Sequence, residues 1–145
     1  MNVNINPKDS SVKILVVEDD DDMRELILKA LSKSFPLANI HGFKNFGQEN
    51  FEEMVIENKY TLITIDGFLG NWKEHPIFYV YGARLVSFVK EKSPETIIVG
   101  MSSTDDFNEA MMEAGALVTI KKGDFLENGL IKKLFNSDLS LKEMD

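Results

Sequence analysis

Short apolar runs rich in β-forming residues recur along the chain, and each stops at small, polar or charged residues. Residues 12–17 (VKILVV) are almost continuously hydrophobic, the pattern of a strand buried on both faces. Residues 37–42, 60–65 (YTLITI), 96–101 (TIIVGM) and 116–120 read as four more strands. Between the strands the apolar spacing lengthens to three and four. Met23, Leu26, Ile27, Ala30 and Leu31 share a helical face, and Phe35-Pro36 closes that helix because proline pushes its predecessor out of helical geometry. Further helices are predicted over 46–57, around Phe51, Met54 and Val55, and over 82–92, around Leu85, Val86 and Val89. A fourth starts at a cap supplied by Asp105 or Asp106 and ends at Ala114, before Gly115. The last, 124–135, gathers Leu126, Leu130, Ile131, Leu134 and Phe135 on one side.

Strands alternating with helices require crossover connections, and therefore a parallel sheet covered on both faces. The expected organisation is a loose extension over 1–11, one α/β domain over 12–136 and a tail over 137–145. Residues 67–78 mix Gly, Asn, His and Pro and read as a long loop. Sheets of this kind bind ligands beyond the carboxyl ends of their strands. All the chemically interesting residues fall there.

The first strand runs straight into Glu18, Asp19, Asp20, Asp21 and Asp22. Five adjacent carboxylates repel one another, so their placement needs a cause. Asp20 to Asp22 open a helix, where side chains cap free amides and negative charge meets the dipole favourably. Glu18 and Asp19 remain, at the strand's end. Asp66 ends the third strand, Ser102 and Ser103 follow the fourth, and Lys121 and Lys122 follow the fifth. Capping and solvation would account for the acidic run alone, but not for this convergence from separate strand ends. Carboxylates so gathered need a cation, and hard oxygen donors suit Mg²⁺. A lysine and a hydroxyl beside them would receive a phosphoryl group, with Asp66 as its nucleophile.

Composition narrows the reading. The 145 residues carry 43% hydrophobic residues, enough for one globular core, and a net charge of −8 that would repel a nucleic-acid backbone. There is no cysteine, hence no disulfide or thiolate chemistry, which fits a reducing cytoplasm. No signal peptide opens the chain, and no apolar stretch reaches the ~20 residues that span a bilayer. His41 and His75 have no second histidine at ligand spacing, so no zinc site is read.

The chain resembles the response-regulator receiver domains (CheY-like) of bacterial two-component signalling, through ILVVEDD (14–20), ITID (63–66), IIVGMSS (97–103), EAGA (113–116) and IKKG (120–123). The resemblance implies a three-layer flavodoxin-like (βα)5 fold with sheet order 2-1-3-4-5. It implies a phosphoacceptor switch fed by a sensor histidine kinase or histidine phosphotransfer protein and read by a downstream protein. By matching position, Asp66 is the acceptor. Asp19 would hold Mg²⁺ directly, Glu18 through water, and the backbone carbonyl of Phe68 would join them. Lys122 rather than Lys121 matches the phosphate-contacting lysine, and Ser102, ahead of Ser103, the switch hydroxyl. Catalysis would be confined to the protein's own phosphorylation and dephosphorylation.

The chain departs from that family's pattern at several positions. Gly123 stands in place of the usual proline after the lysine, Gly70 in place of the proline after the acceptor, and Thr119 in place of the aromatic switch residue. Thr119 is too small to make the aromatic's swing. A pseudo-receiver, a binding module that signals without phosphorylation, is therefore the alternative. A phosphatase of the aspartate-nucleophile kind is disfavoured, because its second aspartate would fall at Phe68. Phe68 itself is expected to shield an acyl phosphate from water. Trp72, His75, Phe78, Tyr79 and Tyr81 make the long loop aromatic, as a cover over the sheet edge or a docking surface, and Met111 and Met112 are read as packing.

Overall fold

The computed structural model describes residues 10–43, 46, 49–70 and 80–126. Most of the predicted extension, the tail, the last helix beyond residue 126, and the loop residues Trp72, His75, Phe78 and Tyr79 lie outside that set.

Five strands form one parallel sheet: β1 (Lys13–Val17), β2 (Asn39–Phe43), β3 (Leu62–Asp66), β6 (Ile97–Met101) and β7 (Val118–Ile120), in the order β2-β1-β3-β6-β7. Taken in sequence among themselves, these strands stand in the expected order 2-1-3-4-5. The intervening numbers belong to a feature the sequence reading took for loop. β4 (Phe68–Leu69) and β5 (Val80–Tyr81) pair antiparallel, Phe68 opposite Tyr81. Two-residue strands carry no alternation to detect, and the Gly, Asn, His and Pro between them dominate the local composition.

The helices divide between the two faces. Ile14, Val16, Leu62, Val99, Val118 and Ile120 point towards α1 (Asp21–Ser34), whose Ile27 and Leu31 complete that layer. Leu15, Val17, Ile63, Ile65 and Ile98 point the other way. They meet Phe51 and Val55 of α2 (Phe51–Asn58), Leu85, Val86 and Val89 of α3 (Gly82–Lys92) and Met111 of α4 (Asp105–Ala114). Central strands buried at every position explain why their sequences are near-continuous apolar runs rather than alternating ones. The last described helix, α5, covers Lys122–Leu126.

Several boundaries differ from expectation. α2 starts at Phe51, not Phe46, because Asn50 accepts the Glu53 N–H at 3.1 Å and sets the N-terminus there. α4 is preceded by Thr104 as its N-cap residue, with no side-chain cap bond, so neither Asp105 nor Asp106 caps it; both lie in its first turn, where the dipole favours them. Met111 is fully buried, but Met112 is exposed, so only the first of the pair packs. Among the described residues no helix is long and apolar enough to cross a membrane.

Candidate phosphoacceptor and metal site

The acidic run divides where β1 gives way to α1. Asp20 is the N-cap of α1: its Oδ1 accepts the Met23 N–H at 2.8 Å, and Asp21 and Asp22 occupy the first turn. Arg24, one turn along, donates to the Glu18 carbonyl at 2.9 Å and pairs with Asp21 at 2.5 Å, bracing the loop from the helix side. Sequence reading passed over Arg24. Its position three residues after Asp21 was the available signal.

Glu18 is buried, and it meets Asp66, also buried, at the end of β3. Oxygen atoms of Glu18, Asp19 and Asp66 all lie within 4.8 Å of one another. Lys122, at the start of α5, closes the group: its Nζ stands 3.0 Å from Asp66 Oδ1, 3.0 Å from Glu18 Oε1 and 2.9 Å from Glu18 Oε2. Lys121 points elsewhere and pairs with exposed Asp105 at 3.3 Å. The parallel sheet is what unites residues so distant in the chain. Every strand delivers its carboxyl end to the same edge.

One ammonium among three carboxylates leaves a negative excess, and the electrostatics record it. Burial first, then the Asp66 charge, pushes the Glu18 carboxyl from its ordinary 4.5 up to about 7. Burial likewise raises Asp66 from 3.8 to about 6, against the opposing pull of Lys122. Burial would lower Lys122, but Asp66 and then Glu18 outweigh it and hold its pKa above the usual value. The donor set is all hard oxygen, and Glu18 Oε2 is buried without a hydrogen bond although it lies in ion-pair range of Lys122. A small divalent cation fits such a set in charge and in donor type.

Asp19 is held by a bond that only a non-proline residue provides. Its Oδ2 accepts the backbone N–H of Gly70 at 3.0 Å. A proline at that position would have no N–H to give.

Glycine is required where the β4–β5 hairpin returns the chain to Asp66. Gly82 donates to the Gly67 carbonyl at 2.8 Å, and a Cβ on Gly82 would stand 2.1 Å from the Asp66 carbonyl oxygen. A Cβ on Gly67 would meet Phe107 Cβ at 2.5 Å and Ser102 Cβ at 3.0 Å. Ser102 is therefore beside the residue that follows Asp66, and it is buried, whereas Ser103 is exposed. Phe68 is exposed at the rim and stacks on Phe107 at 5.9 Å and 14°, with Tyr81 edge-on at 5.6 Å. Phe107 was not singled out in the sequence, where it reads as one more helix residue.

No protein-family model matches the sequence, and no curated protein matches it. Solved structures do. The signal receiver domain of a DNA-binding response regulator from Colwellia psychrerythraea 34H is 21% identical, with a TM-score of 0.66 over 84% of this chain and 93% of that one. The response regulator domain of Thermotoga maritima CheB is 20% identical, with a TM-score of 0.62 over 83% of this chain and 92% of that one. A Burkholderia pseudomallei response regulator, solved with a phosphorylated aspartic acid and a calcium ion, is 16% identical, with a TM-score of 0.63 over 83% of this chain and 65% of that one. The chain has the α/β fold of response-regulator receiver domains.

Proposed function

We propose that this receiver-fold chain is a phosphoacceptor switch of a two-component or phosphorelay system, phosphorylated on Asp66 in a Mg²⁺-dependent reaction. The observation that carries the reading is the Lys122 ammonium between Asp66 and Glu18, with Asp19 alongside. A merely structural ion pair would need one carboxylate, not two buried ones with a third alongside.

Glu18, Asp19, Asp66 and the Phe68 carbonyl would hold the metal, which when bound supplies positive charge to the oxygens of an incoming phosphoryl group. The chain's own groups do the rest. An Asp66 carboxylate oxygen attacks phosphorus, the bond from phosphorus to the donor nitrogen or oxygen breaks, and the leaving group departs with the electron pair. Lys122 and the Ser102 hydroxyl stabilise the charge on the transferred group. Water attack on phosphorus later returns Asp66 to a carboxylate. The protein turns over nothing else and is not otherwise an enzyme. Its donor is a sensor histidine kinase or histidine phosphotransfer protein of the cytoplasm, and its output is a protein contact rather than nucleic-acid binding. The phosphoryl group shifts an equilibrium between two conformations.

The pseudo-receiver reading draws on one observation. Thr119, where the resembled family has an aromatic switch, is a small side chain lying against Gly100, with its Cγ2 2.9 Å from where a Cβ there would sit. Incubation with acetyl phosphate, with Mg²⁺ or with chelator, separates the two. Labelling that needs Mg²⁺ and is lost in Asp66→Ala supports the acceptor. A chain that stays unlabelled under every condition is a pseudo-receiver.

A further inference from the structure

We propose that Asn108 ties Ser102 to the first turn of α4, so that α4 and the rings of Phe107, Phe68 and Tyr81 carry the response when Ser102 is drawn to a phosphoryl group. This deepens the acceptor reading above and rests on it. Three hydrogen bonds close a loop between the end of β6 and α4. Asn108 Nδ2 donates to the Ser102 carbonyl at 2.9 Å, the Thr104 N–H donates to Ser102 Oγ at 3.1 Å, and the Asn108 N–H donates to the Thr104 carbonyl at 3.2 Å. Thr104 makes no side-chain cap, and the bonds through Ser102 and Asn108 instead fix how the chain enters the helix.

Asn108 is buried, and its Oδ1 is buried without a hydrogen-bond partner among the described residues. Leucine, of similar size, would carry no such penalty. What asparagine adds at this position is the Nδ2 bond to Ser102.

The consequence is mechanical. Ser102 Oγ cannot turn to donate to a phosphoryl oxygen on Asp66 without altering the bond it accepts from Thr104. The Ser102 backbone cannot shift without pulling Asn108, and with it the first turn of α4. Phe107 precedes Asn108 and lies against Gly67, where even a Cβ would not fit. Its ring stacks on Phe68 and stands 5.9 Å from Tyr81, and both of those rings reach solvent. A movement begun at a buried hydroxyl thus ends on an exposed aromatic surface. Asn108 is a positioning residue, since it acts through Ser102.

Hydrogen exchange with and without beryllofluoride and Mg²⁺ tests this. Variants are compared at equal labelling of the acceptor strand Leu62–Asp66. In the unaltered protein, exchange is expected to change in the acceptor strand, in α4 and in the β4–β5 hairpin. Asn108→Leu should keep the change in the acceptor strand and lose it in α4. Asn108→Ala gives the same comparison should the leucine variant fail to fold. Phe107→Ala should keep the change in α4 and lose it in the hairpin. A normal α4 response in Asn108→Leu, or a protected acceptor strand with a silent α4 in the unaltered protein, overturns the inference. Beryllofluoride that leaves the acceptor strand itself unchanged overturns the acceptor reading and the inference together.

Discussion

The Lys122 ammonium stands 3.0 Å from the Asp66 carboxylate while also contacting both oxygens of Glu18, so a single cation serves two buried acids. Removing it leaves those charges without the cation that balances them. Lys122→Met is expected to lower stability by about 1.5–3 kcal/mol at pH 8 without divalent metal, the range for hydrogen bonds to charged groups. The loss should shrink at pH 5, where the acids take up protons. Chemical denaturation at the two pH values measures it.

The cluster also makes stability depend on pH in a definite direction. Burial raises Glu18 to about 7 and Asp66 to about 6 in the fold, so the folded protein binds their protons more tightly than the unfolded chain does. Their contribution is complete below the ordinary carboxylate values of 4.5 and 3.8 and is lost as pH rises through about 6 to 7. The metal-free melting temperature should therefore fall between pH 5 and pH 8, and Glu18→Gln should flatten the slope. Added Mg²⁺ should stabilise more at pH 8 than at pH 5. Calorimetry with Mg²⁺ and with chelator reads both effects.

The acidic run has two separable duties. Asp20→Ala removes the cap of α1 and should cost about 0.5–2 kcal/mol while leaving Mg²⁺-dependent labelling in place. Asp19→Asn should do the reverse, with little cost in stability and labelling greatly reduced. Thermal melts and a labelling time course on the same two variants decide it.

Gly82 and Gly123 make a further contrast. A Cβ at Gly82 runs into the Asp66 carbonyl, whereas a Cβ at Gly123 meets nothing within 4 Å. Gly82→Ala should destabilise by about 1–3 kcal/mol or more, as overpacking does. Gly123→Ala should be neutral or gain up to about 1 kcal/mol from helix propensity.

Phe68 is exposed two residues beyond Asp66. Phe68→Asn is expected to shorten the lifetime of the acyl phosphate roughly tenfold, a change of about 1.4 kcal/mol in barrier. Loss of label after removal of the donor gives the lifetime directly. An unchanged lifetime would assign the ring to packing alone.

Sheet and site differed in how legible they were. Ile14 to Val17 and Ile97 to Val99 are apolar at successive positions, and Leu62 to Ile65 is broken only by Thr64, because both faces of their strands are covered, and that pattern survives without any structure. Once the sheet was parallel, the strand ends had to converge, so Glu18, Asp19, Asp66 and Lys122 came together as expected. Phe107 and Asn108 stayed hidden because nothing in their local sequence distinguishes them from ordinary helix residues, and Arg24 had only its spacing from Asp21. Their roles come from which turn of a helix faces which loop. The β4–β5 hairpin was hidden for another reason: two residues per strand are too few to show a period. The bond from the Gly70 N–H to Asp19 has a negative signature only, a proline that is not there.

The most direct measurement maps the covalent bond. After reaction with a small phosphodonor and Mg²⁺, peptide mass spectrometry should find one hydroxylamine-labile phosphoryl group, on the peptide containing Asp66, and none in Asp66→Ala or with chelator. Equal modification in Asp66→Ala, or a folded Mg²⁺-bound protein that never becomes modified, would contradict the account.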